Sequence, residues 1–211
     1  MLVGPPACGK GTQAAALSAT LQVAHVSTGQ MFRDAIRVGG SLGEACRPFI
    51  DKGRLVPDEI VVAVVAQWLV RRGDDPEFIL DGFPRTLPQA EAFDRMLALA
   101  RLGWPRVILL DVPAEETVRR IGGRRGCENC GALYHVSFDP PRQAGVCDRC
   151  GGRLTQRADD TEETVRERLR VYERLTLPVV EHYRQAGALQ RVGGMQSKSR
   201  VFAELLRMAR A

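Results

Sequence analysis

The sequence predicts an α/β protein: a doubly wound parallel sheet built on a phosphate-binding loop, plus an inserted helical segment and a cysteine-rich, metal-containing insert. Three observations carry this. A glycine-rich run, GPPACGKGT from Gly4 to Thr12, follows an apolar stub and opens a helical stretch. Short apolar runs, EFILDG and RVILLDV, alternate with helical patterns, as buried parallel strands do. Residues 126–156 turn rich in Gly, Cys and Pro with scattered aromatics, which marks an insert with its own local logic.

The elements follow in order. MLV is the first strand, and only three residues precede Gly4, so that strand is short. GTQAAALSATLQ reads as a helix and AHVS as a strand. GQMFRDAIRVG and SLGEACRPFIDKG are two short helices, each closed by glycine. Pro57 suits a first helical turn and opens a helix running to Gly73. TLPQAEAFDRMLALARLG is helical between the two apolar strands. After AEETVRRIGGRR and the insert, helix returns at DDTEETVRERLRVYERLTL, where Pro178 predicts a kink or break. LQRVGG and SRVFAELLRMAR close the chain as strand and helix. The expected division is a core of residues 1–26, 57–123 and 158–211, a segment 27–56 and a cysteine-rich insert 124–157.

Composition narrows the function. The chain has 211 residues, 45% hydrophobic and 26% charged, which suits one domain with inserts and a real core. No run of about 18 apolar residues predicts a membrane span. The start lacks a signal-peptide layout, so a cytoplasmic location is expected. Four of six cysteines lie in C-x-x-C pairs, and in a reducing compartment that spacing reads as metal. Cys8 and Cys46 read as free thiols, Cys8 as a reactive one beside Lys10. A net charge of +5 with pI about 9.1 fits nucleic acid or a polyphosphate site. The arginines are spread without a block of like charges, which weighs against nucleic acid.

The phosphate loop places Gly9, Lys10, Gly11 and Thr12 where backbone N–H groups and a helix N-terminus meet an anion. Lys10 reads as reaching phosphates and Thr12 as facing Mg²⁺. LDGFPRT ends a strand, with Asp81 set to hold Mg²⁺ through water and Arg85 to meet a phosphate; a plain Asp-Gly turn is the other reading. Thr28 and Arg33 follow a strand, where Ser27 or Thr28 could instead cap a helix. Arg120, Arg124, Arg157 and Arg168 flank the insert as either a phosphate clamp or a solvated face. Asp159 and Asp160 read as helix caps or as anchors for those arginines. Cys127, Cys130, Cys147 and Cys150 fit a closed tetrahedral thiolate site, structural and zinc-like. A glycine follows the second cysteine of each pair, which suits a knuckle.

Together these motifs resemble adenylate kinase of the bacterial long-lid type. GPPACGKGT is similar to its phosphate loop; STGQMFR, GRLVPDE and LDGFPRTLPQA to its AMP segments; RRIGGRR, YHVSFDPP and RADDTEETVRERL to its lid and hinge. The resemblance implies phosphoryl transfer from MgATP to AMP, with two ADP as products. It implies ATP contacts from Gly9, Lys10, Gly11, Thr12, Arg120, Arg124 and Tyr134, with Gly194 and Gln196 beside the adenine. It implies an AMP site of Thr28, Arg33, Val56, Gly82, Arg85, Gln89, Arg157 and Arg168. Catalytic work falls to Lys10, Arg85, Arg120, Arg124, Arg157 and Arg168, with Mg²⁺ and structural Zn²⁺ as metals. A monomer that binds neither nucleic acid nor membrane is expected. Two positions depart from the family pattern: Ala7 stands where glycine is usual, and Gln30 where aspartate is usual. A kinase for UMP or CMP, an impaired kinase-like protein, and a nucleotide-gated nucleic-acid binder using the knuckle are the alternatives.

Overall fold

A computed structural model describes residues 1–72, 77–156 and 160–210. The central sheet has five strands: β1 (Leu2–Val3), β2 (Ala24–Ser27), β3 (Phe78–Asp81), β4 (Val107–Asp111) and β8 (Leu189–Gly193). Their order is β2-β3-β1-β4-β8, and every pairing is parallel. The chain leaves central β1, builds β2 and β3 on one side, then crosses to β4 and β8. That reversal puts the loop after β1 at the switch point, where ligands bind such sheets.

The apolar runs are buried on both faces, as their lack of polar alternation requires. In β4, Ile108 and Leu110 join one core cluster while Val107 and Leu109 join another. The first cluster packs under α1 (Lys10–Leu21) and α9 (Lys198–Arg210), through Ala14, Leu17, Val201 and Leu205. On the other face lie α5 (Leu87–Leu99), through Ala90, and α8 (Leu177–Gln185), through Val179, Val180 and Tyr183. Tyr183 is fully buried and its hydroxyl donates to Asp94 Oδ1 at 3.0 Å, which removes the penalty of hiding it.

Helices α2 (Thr28–Val38), α3 (Ser41–Ile50) and α4 (Asp58–Arg72) share a third cluster around Phe32, Val61 and Phe83. After α6 (Ala114–Gly122) the chain makes a separate antiparallel sheet of β5 (Arg124–Cys127), β6 (Leu133–His135) and β7 (Leu154–Thr155), ordered β6-β5-β7. Helix α7 (Glu162–Val171) then returns to the core. The break expected at Pro178 falls earlier, as a π-helical segment over Tyr172–Thr176, and Pro178 sits in the first turn of α8. Among the described residues, no helix is long and apolar enough to cross a membrane.

Candidate active site

The carboxyl ends of the parallel strands open into one cleft of about 1040 Å³, roofed by the small antiparallel sheet. Its floor is the loop after β1. Gly4 has φ +145, and a Cβ there would lie 2.5 Å from the Leu110 carbonyl oxygen, so no side chain fits. Gly9, with φ 102, hands the chain into α1 as its N-cap. Ala7 has φ 52, the left-handed conformation that favours glycine. Lys10 is folded back under the loop, donating to the carbonyls of Gly4 at 2.8 Å and Pro5 at 2.7 Å. Cys8 is only 2% exposed, with its Sγ 3.4 Å from the Lys10 ammonium. The thiol is therefore more sheltered than a freely reactive one.

Asp81, at the end of β3, faces this loop: a Cβ on Gly11 would stand 3.3 Å from Asp81 Oδ2. Burial alone would push the Asp81 carboxyl up. The His25 ring nitrogen, 3.6 Å away, together with the charges of Lys10 and Arg85, holds it below the ordinary carboxylate value. The result is a buried carboxylate beside the phosphate loop, with Thr12 lining the same space. Hydrated Mg²⁺ takes oxygen ligands of this kind.

The segment predicted for AMP gathers at the neighbouring wall. Thr28 is not the α2 cap; Ser27 occupies that position without a side-chain capping bond. The Thr28 hydroxyl donates to the Gly82 carbonyl at 2.8 Å. Arg85 Nε donates to the same carbonyl at 2.7 Å, and Gly82 adopts φ 79 with Arg85 packed where a Cβ would be. Gln89 is buried; its oxygen accepts from the Arg85 N–H at 2.8 Å and its amide donates to Asp58 Oδ1 at 2.6 Å. Arg33 Nη2 donates to Gln30 Oε1 at 3.3 Å. Val56 belongs to the third core cluster and lines a small side cavity with Thr28, Gly82, Arg85 and Gln89.

The flanking arginines converge rather than point to solvent. Arg120 donates to Glu116 Oε1 at 2.7 Å and to the Gly194 carbonyl at 2.9 Å. Arg124 pairs with Asp160 through both nitrogens of its fork, and Arg168 approaches the same carboxylate at 3.6 Å. Asp160 is thus the arginine anchor, while Thr161 caps α7 by accepting from the Thr164 N–H. Arg157 and Asp159 lie outside the described residues. Gln196 lines the cleft but hydrogen-bonds Glu204 at 3.0 Å.

In the roof, the sulfurs of Cys127, Cys130, Cys147 and Cys150 all lie within 4.8 Å of one another, an arrangement that can hold a metal ion. The closest pairs are 3.4 and 3.6 Å apart, near the roughly 3.8 Å edge of a tetrahedral zinc–thiolate site with 2.3 Å bonds. Each C-x-x-C closes on its following glycine: the Gly131 N–H donates to the Cys127 carbonyl and the Gly151 N–H to Cys147. Both glycines have positive φ, 69 and 71. Tyr134 lines the cleft, yet its hydroxyl lies 3.5 Å from Cys147 Sγ and accepts the Asp148 N–H at 2.9 Å. That hydroxyl draws the Cys147 thiol down to about 6, toward the thiolate a metal binds.

The roof touches the floor. Leu133 reaches within 3.9 Å of the Cβ position on Gly11, Gly131 approaches Gln30, and Asp139 pairs with Lys198 at 2.8 Å. Sequence reasoning missed these contacts and His25, because each joins residues far apart in the chain. Only His25 left a signal, its place in a strand just before the predicted Ser27 or Thr28 helix cap.

Residues 2–188 match the family model described as Adenylate kinase. The chain belongs to the adenylate kinase family. Within it, the chain is 47% identical over 205 residues to an adenylate kinase of Carboxydothermus hydrogenoformans, covering 97% of this chain and 96% of that one. It is 47% identical to the one from Archaeoglobus fulgidus, covering 97% and 94%. It is 48% identical over 197 residues to that of Moorella thermoacetica, covering 93% and 91%.

Proposed function

We propose that this cleft moves the terminal phosphoryl group of MgATP reversibly to AMP, giving two ADP. One observation carries the reading: in a member of this family, the phosphate loop, the Arg85 wall and the Arg120–Arg124–Arg168 group face one cleft. Two polyanions must meet there, and the site answers with cations.

Lys10 leaves its loop carbonyls to bind the ATP phosphates, alongside the N–H groups of Gly9, Gly11 and Thr12. Arg120 and Arg124, with Tyr134 and Gln196 on the rim, complete the ATP side. Arg33 and Arg85 take the AMP phosphate, while Thr28, Val56, Gly82 and Gln89 shape its pocket. Arg168 and Arg157 bridge donor and acceptor. Asp81 would hold hydrated Mg²⁺, which neutralises phosphate charge when bound. The attacking AMP oxygen is already ionised at neutral pH, so no general base is required. Rate enhancement comes from alignment and fixed positive charge in a cleft shielded from water.

The metal held by the four cysteines is read as zinc, closed to substrate and structural. The chain divides into the core 1–26, 57–123 and 158–211, the AMP segment 27–56 and the lid 124–157. The separate antiparallel sheet and the paired helices α2 and α3 support that division. We read the protein as a cytoplasmic monomer acting on ATP and AMP. The basic side chains of Arg120, Arg124 and Arg168 are drawn inward, which argues against a nucleic-acid face.

The test is ADP formation from ATP with AMP, UMP or CMP, with and without Mg²⁺. AMP and Mg²⁺ should both be needed; equal use of UMP would overturn the acceptor assignment.

A further inference from the structure

The π-helical segment Tyr172–Thr176 has a cause in the sequence. Pro178 has no N–H for the carbonyl four residues before it, and its ring crowds that carbonyl. A wider turn removes the conflict, and the Leu177 N–H donates to the Tyr172 carbonyl, five residues back. Val179, Val180 and Tyr183 are buried, so α8 cannot shift its register to absorb the extra residue.

The consequence is angular. Four residues of α-helix overshoot a full turn by about 40°. A π turn holds more than four residues, so a four-residue step there falls short of a full turn. Arg168 to Tyr172 spans α-helix and Tyr172 to Thr176 spans the π segment. The two deviations oppose, and all three residues line the cleft. Regular helix would carry Thr176 about 80° away from Arg168.

Thr176 uses this placement. It is 7% exposed, and its hydroxyl donates to the Arg85 carbonyl at 2.9 Å, across 91 positions of sequence. Arg85 is then held on both sides of its Cα: Gln89 accepts its N–H at 2.8 Å and Thr176 donates to its carbonyl. We propose that Thr176 is a positioning residue for Arg85, kept on the cleft by the π segment, so that the helix bearing Arg168 fixes the arginine of the acceptor site. The inference rests on reading Arg85 as the AMP-phosphate ligand.

The test compares Thr176→Val, which keeps the shape and removes the donor, with Thr176→Ser, which keeps the donor, and with Arg85→Ala. Thr176→Val should lower kcat/KM for AMP by about 3- to 10-fold, the worth of one buried hydrogen bond. KM for ATP should stay within about 2-fold. AMP binding measured by calorimetry without ATP should weaken in parallel, and Thr176→Ser should restore both. Thr176→Val acting through fold stability alone would lower the melting midpoint and leave AMP affinity unchanged, and that result overturns the proposal. So does failure of the serine variant to rescue. If Arg85→Ala abolishes AMP use while Thr176→Val changes nothing, this inference alone fails. If Arg85→Ala leaves AMP use intact, the reading of the acceptor site fails with it.

Discussion

Replacing Ala7 with glycine should stabilise this protein, against the usual direction for such a change. Ala7 sits in the phosphate loop at φ 52. An L-residue with a Cβ in that region costs about 1–2 kcal/mol relative to the right-handed one, and glycine removes the penalty. Glycine also loosens the unfolded chain, which takes back about 0.4–1 kcal/mol. The net gain is roughly 0.5–1 kcal/mol, or about 1–4 °C in melting midpoint for a chain of this size. Ala15 supplies the contrast: it is exposed and lies inside α1 with helical neighbours. There Ala→Gly should cost about 1 kcal/mol. Differential scanning calorimetry of both variants reads the sign directly. If Ala7→Gly lowers the midpoint as Ala15→Gly does, the loop is not strained at Ala7 and the argument fails.

What could be read early and what could not divide along a physical line. Strand β4 was legible because four buried positions in a row, Val107 to Leu110, leave no polar face to assign elsewhere. The loop at Gly4–Thr12 was legible because its glycines answer local backbone demands, and the same reasoning marked Ala7. The knuckle was legible because Gly131 and Gly151 close local turns around cysteines three residues apart. Pro178 announced a break but not its kind: burial of α8 turned a kink into a π segment. The hydroxyl of Tyr134 on Cys147, the pairing of Asp139 with Lys198 and the reach of Thr176 to Arg85 were not legible. Each depends on where whole elements dock, which no local pattern encodes. Asp160 lay between: two roles were open for it, and only packing chose the arginines over the helix cap.

That choice makes Asp160→Asn a direct test. Losing the buried charge leaves Arg124 and Arg168 facing each other and should cost about 3 kcal/mol. Thermal denaturation should show a fall of about 6–12 °C, and a shift below about 2 °C would refute the anchoring role. Asp81 predicts a pH effect. Its folded pKa is lowered, so its contribution to stability is present above the ordinary aspartate value and is lost as pH falls through the folded one. Asp81→Asn should therefore flatten the acid limb of the stability profile below about pH 4, and an unchanged limb would assign it to other groups. Removal of the metal should act on the lid alone. Its small core consists of Cys127, Cys147 and Leu154 with Cys130, Ala132 and Tyr134 packed beside them, so half of that core is cysteine. Without a cation the remaining apolar surface is too small to hold three short strands, whereas the parallel sheet keeps its own clusters. Hydrogen exchange after chelation should rise across residues 124–155 and stay low in β4. ATP hydrolysis without AMP should rise relative to transfer, because a loosened roof admits water to the phosphates. Full activity with an unchanged midpoint after chelation would refute the bracing role. Loss of nucleotide binding with the lid still protected would instead put the metal in the reaction.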